Sequence, residues 1–141
     1  LLGLSDFTSH DRFTDIATRV LETHASKIES NPLQHASLTL AADRFASGSL
    51  ELTLVADEVP ASWHELLAER YLPRKLLAWR PAEEETFEEW LGTLNLETAP
   101  PIWADRGLRD GEPTVYACRS FTCSPPQHDL GDALSWAEER L

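Results

Sequence analysis

Apolar positions in the first 47 residues recur at helical spacing. Phe13, Ile16, Ala17, Val20, Leu21, Ala25 and Ile28 fall three and four residues apart, which predicts one helix face, with Thr8-Ser9-His10-Asp11 supplying turn and capping groups before it. Leu1 to Phe7 reads as the remnant of an earlier element. Asn31-Pro32 is expected to end this helix and start a second, in which Leu33, Ala36, Leu38, Leu40 and Phe45 make a broad apolar arc closed by Ser47-Gly48. Such a helical hairpin cannot bury its apolar arc alone, so it should pack on other helices or on the rest of the chain. From Ser49 the rhythm changes. Leu50 to Asp57 alternates and then runs apolar, as a strand does; Ala61 to Tyr71 is helical, with Trp63, Leu66, Leu67 and Tyr71 on one side. Leu76 to Trp79 is a second strand, and Glu83 to Leu94 a helix with Phe87, Trp90, Leu91 and Leu94 as its stripe. Thr114 to Phe121 is a third strand. Asp129 caps a last helix whose stripe is Leu130, Ala133, Leu134, Ala137 and Leu141. This strand-helix alternation predicts an α/β fold: a small three-stranded parallel sheet with crossover helices, in which Leu52, Leu54, Leu77, Val115 and Ala117 are buried. The expected organisation is a helical hairpin over residues 1–47 and an α/β lobe over 48–141.

The chain has 141 residues, 42% of them hydrophobic, which is enough for a packed core. Twelve basic residues stand against 24 acidic ones, for a net charge of −12. That balance repels phosphate backbones and anionic membrane surfaces, so nucleic acid and membrane are not expected partners. Only Lys27 and Lys75 are lysines, and the carboxylates are dispersed along the whole chain, a pattern that suits solubility in concentrated salt and points to a halophilic source. No apolar run approaches the roughly 18 residues of a membrane span. Two cysteines without a secretion signal predict a cytoplasmic protein. The start at Leu1-Leu2-Gly3-Leu4, without methionine, predicts a piece of a longer protein.

Candidate chemistry concentrates at Cys118 and Cys123, five positions apart at the end of a predicted strand and before the Pro125-Pro126 turn. Strand ends that meet helix starts carry ligand groups in α/β proteins, and a thiol near a helix N-terminus is more readily ionised. Three readings are open: a redox or regulatory pair, a weak metal site completed by His128, or two reduced thiols packed as small apolar groups. A second ligand cluster for zinc is lacking. A continued strand would hold the two Cα atoms roughly 16 Å apart, so pairing requires a bend, for which Ser120 to Thr122 is the candidate. Asp57, at the end of the first strand, is a ligand candidate or a cap. Trp63, Trp79, Trp90 and Trp103 would line a sugar site or fill the core. The remaining histidines are scattered, no glycine-rich phosphate loop occurs, and no cofactor is called for.

Tyr116, Cys118, Phe121-Thr122-Cys123 and Pro126 resemble the C-terminal end of the spermatogenesis-associated thioredoxin-domain-containing protein family. The Asn31-Pro32 helix start and the strand Glu51 to Asp57 are similar to that family's tail, with Ala56 where the family has glycine before Asp57. The resemblance implies a parent chain with a thioredoxin-like domain and an α/α toroid similar to N-acylglucosamine 2-epimerases and six-hairpin glycosidases, hence a carbohydrate-active or thiol redox enzyme. The hairpin over 1–47 would be the end of that toroid. Neither the thioredoxin Cys-x-x-Cys nor most of the toroid lies in this chain, so neither activity transfers to Cys118 and Cys123. The implied function is a non-catalytic module that packs against the missing domains of the parent chain. The alternative is a lobe with its own thiol redox or small-ligand site at Cys118 and Cys123.

Overall fold

The computed structural model describes residues 1–119 and 122–139. The chain divides into two compact units, Leu1–Ser49 and Leu50–Leu141.

The first unit is helical: α1 (Leu2–Thr8), α2 (Asp11–Ser30) and α3 (Ala36–Ser47). The expected remnant at Leu1 to Phe7 is therefore a helix of its own, closed by Ser9 in the left-handed region at φ 54°. Asp6 ties α1 to the end of α3. Its Oδ2 accepts from Arg44 Nη2 at 2.8 Å, from Arg44 Nε at 3.2 Å and from Ser49 Oγ at 2.6 Å. The start of the second helix needs correction. Asn31 closes α2, donating its N–H to Lys27 O, and Pro32 opens a turn rather than a helix. The Pro32 carbonyl is taken by the Thr39 hydroxyl at 3.0 Å, so regular helix begins only at Ala36.

The second unit is a mixed α/β fold. Strands β1 (Leu50–Val55), β2 (Lys75–Arg80), β3 (Thr114–Arg119) and β4 (Thr122–Cys123) form a four-stranded sheet in the order β2-β1-β3-β4. Helices α4 (Ala61–Glu69), α5 (Glu84–Thr93) and α6 (Leu130–Glu138) accompany it. The sheet is not the expected three-stranded parallel one. β1 and β2 are parallel, joined by α4, but β3 runs antiparallel to β1 and β4 antiparallel to β3. Apolar alternation is the same in either direction, and the long connection from α5 to β3 returns the chain from the opposite end. After β4 the chain stays against β3, with Ser124 N donating to Ala117 O at 2.7 Å and Gln127 N to Val115 O at 3.0 Å.

Registers sort the side chains by face. Leu52 lies beside Ala117 and Leu54 beside Val115, and these four form the core with Trp63 of α4 and Leu130, Ala133 and Leu134 of α6. Leu77 is a correction: at 44% exposure it is not core, because β2 is the sheet edge. Tyr71 is 86% exposed, since α4 ends at Glu69 and leaves it past the helix. On the stripe of α5 Phe87 is buried, Trp90 and Leu91 are half-buried and Leu94 is exposed. Asp129 caps α6, its Oδ1 accepting from Asp132 N at 3.1 Å. The expected strand end at Phe121, the bend at Ser120 and the helix position Leu141 lie outside the described residues. No described helix is long and apolar enough to cross a membrane.

Candidate functional site

Alternation along β1 and β3 that turns Leu52, Leu54, Val115 and Ala117 into the core turns Glu51, Thr53, Tyr116 and Cys118 to the opposite face, with Glu51 beside Cys118 and Thr53 beside Tyr116. Cys123 stands directly opposite Cys118 across the β3-β4 ladder. Their Cα atoms are 4.0 Å apart and the two sulfurs are bonded. The structure thus brings the two cysteines together, as a pair requires. The pair is asymmetric: Cys118 is 3% exposed, whereas Cys123, on the short outer strand, is exposed.

Arg106 reaches this face from the segment before β3. Its Nη2 donates to Cys118 Sγ at 3.1 Å and its Nη1 to Thr53 Oγ1 at 2.5 Å. The guanidinium carbon lies 5.9 Å from the centre of the Tyr116 ring. Thr53, fully buried, passes its own proton to Ile102 O at 2.7 Å, so its hydroxyl is satisfied on both sides. Burial lowers the Arg106 pKa from its usual value, with the charges of Glu51 and Tyr116 acting against that. A partly desolvated cation therefore sits against a sulfur that gains negative charge when the disulfide opens.

A second arginine sets the position of the first. Arg80, at the end of β2, is 3% exposed and donates through Nη1 to Trp103 O at 3.3 Å and to Arg106 O. Its Nη2 meets Glu84 Oε2 at 2.6 Å, and its guanidinium stacks 3.8 Å from the centre of the Phe87 ring. Asp105 turns the chain through the left-handed region at φ 57°, a conformation aspartate adopts more easily than most residues. The segment 102–106 is thus fixed at both carbonyl and side-chain level before Arg106 reaches the sulfur.

The other sequence candidates fall elsewhere. Asp57 Oδ1 accepts from Ala82 N at 2.9 Å and Glu83 N at 3.3 Å, fastening the end of β1 to the start of α5. It lies six positions along from Glu51, about 20 Å at strand rise, and so does not share a site with the cysteines. His128 also misses them. Its Nδ1 is 3.2 Å from Pro113 O and its Nε2 3.6 Å from Asp110 Oδ2, at the opposite end of β3 from Cys118. The proposed Cys118-Cys123-His128 metal set is therefore not assembled, and among the described residues no three metal-ligating side chains gather. Trp79, Trp90 and Trp103 pack on one another at 5.3 and 5.0 Å between ring centres, and Trp63 belongs to the helix-covered core.

No family model, curated protein or solved structure matches this chain. The site stands on its geometry. Arg106 and Thr53 were not legible as functional residues. Arg106 lies outside every periodic segment, and Thr53 reads as the polar phase of an alternating strand. The one available signal is that a threonine inside an otherwise apolar run, if buried, must find partners.

Proposed function

We propose that the second unit carries a thiol–disulfide exchange site at Cys118 and Cys123. One observation supports it above the others: the buried sulfur is bonded to an exposed partner and faces a partly desolvated guanidinium. An incoming thiolate attacks exposed Cys123 Sγ and forms a mixed disulfide. The Cys118–Cys123 bond breaks and its electron pair stays on Cys118 Sγ, where Arg106 stabilises the thiolate as leaving group. A second thiolate then attacks the external sulfur of the mixed disulfide and releases Cys123. Two thiols have become one external disulfide and the protein pair is reduced by two electrons. In a cytoplasm, disulfides are characteristically transient and redox-sensing, which fits an exposed, exchangeable bond better than a structural staple.

The test is exchange with glutathione buffers, trapped by alkylation and read by mass. The pair should open and close reversibly with unchanged far-UV circular dichroism. Oxidised glutathione should modify Cys123 in the Cys118→Ser variant much faster than Cys118 in the Cys123→Ser variant. Equal rates, or a bond that excess reduced glutathione leaves closed, would refute the assignment.

A second reading is favoured by the first unit. Leu4, Val20, Leu33, Leu40 and Phe45 are exposed, and only Ala17 and Ser49 are buried among residues 1–49. We propose that these helices form the packing surface of a non-catalytic module, as the family resemblance implies, against helices of a parent chain. A Leu40→Glu, Phe45→Glu double variant should lose binding of an apolar fluorescent dye while keeping its helicity; unchanged dye binding would remove this support.

A further inference from the structure

We propose that a cavity on the other face of the sheet binds a small amphipathic anion, an aliphatic carboxylate. The cavity, about 280 Å³, is lined by Leu50 of β1, Lys75 of β2, Leu72, Pro73 and Arg74 of the segment before β2, Arg119 at the end of β3, and Leu134 and Ala137 of α6. That volume is near the lower end of the range for ligand pockets, which suits a medium-chain acid rather than a larger cofactor.

Two features choose the chemistry. The floor is apolar, since Leu134 and Ala137 are buried in it and Leu50 and Leu72 pack against the core. Aliphatic surface of this kind takes a hydrocarbon body. Two cations, Lys75 and Arg119, flank Leu50 in the same lining, in a chain of net charge −12. Both are half-buried, and Glu138, the acidic residue of the lining, is bonded to Arg70 at 2.7 Å. The overall charge repels anions, so attraction at this place must come from the local cluster. Register explains the gathering: Leu50 pairs with Lys75 on one side and with Arg119 on the other, so all three side chains lie abreast on the face that α6 covers.

Octanoate, 1-octanol and acetate separate the contributions of body and charge, titrated below the micellar range into the isotopically labelled chain and followed by NMR. Octanoate should shift the amides of Leu50, Leu72, Leu134 and Ala137 and bind roughly tenfold more tightly than either control. Replacing Lys75 or Arg119 by glutamine should weaken octanoate roughly two- to fivefold each, as removing a partly exposed charge does, and leave octanol unchanged. Far-UV circular dichroism checks that each variant is folded; the comparison of the three ligands on the unaltered chain decides the question without them. Equal binding of octanoate and octanol, shifts confined to other residues, or no shift at millimolar octanoate would overturn the proposal.

Discussion

Replacing Arg106 by glutamine removes the positive charge next to Cys118 and shortens the side chain by two bonds while keeping it polar. In the oxidised chain the guanidinium donates to a neutral sulfur at 3.1 Å, a weak interaction. In the reduced chain the same atom faces a thiolate. A hydrogen bond to a charged group contributes about 1.5–3 kcal/mol net, and partial solvent access to Arg106 places this one at the lower end. About 1.4 kcal/mol corresponds to a tenfold change in the exchange constant, or about 30 mV for a two-electron couple. The arginine favours the reduced form, so Arg106→Gln should be harder to reduce by about that amount. The assay is the fraction of open disulfide across a series of glutathione buffers, measured at pH 9 and at pH 6. Because the guanidinium acts on the thiolate, the difference between the two proteins should be full at pH 9. It should shrink as pH falls and the reduced Cys118 takes up its proton. Arg106→Lys, which keeps the charge but not the two-pronged donor, should fall between them. Identical midpoints at both pH values, or a variant that is easier to reduce, would refute the electrostatic role.

Two further outcomes follow from packing. Leu52→Ala should lower the urea-unfolding free energy by about 2–5 kcal/mol, whereas Leu77→Ala, half-exposed beside it on the edge strand, should cost only about 1 kcal/mol. Asp57→Ala should cost about 0.5–2 kcal/mol in the same assay, because two backbone N–H groups at the start of α5 lose their acceptor, and glutathione exchange should be unaltered.

Periodicity determined element type over most of this chain because burial itself is periodic. The stripe Leu130, Ala133, Leu134 and Ala137 is buried as its spacing predicts, and Leu52, Leu54, Val115 and Ala117 form the inner face of the sheet. Local chemistry was legible as well: Asp129 caps α6 through its own side chain. Strand direction was not, since alternation reads the same forwards and backwards, and only the path from α5 to β3 makes the third strand antiparallel. Edge position was likewise invisible, which is why Leu77, as apolar as Leu52, is left 44% exposed. For the candidate site, the two cysteines stood out by type and spacing, but their bonding depends on β4 folding back against β3. Arg106 depends on more: it lies 12 positions before Cys118 and 53 after Thr53, and it reaches both through a loop that Arg80 holds in place. Contacts across such separations come from packing, and no local pattern of residues encodes them.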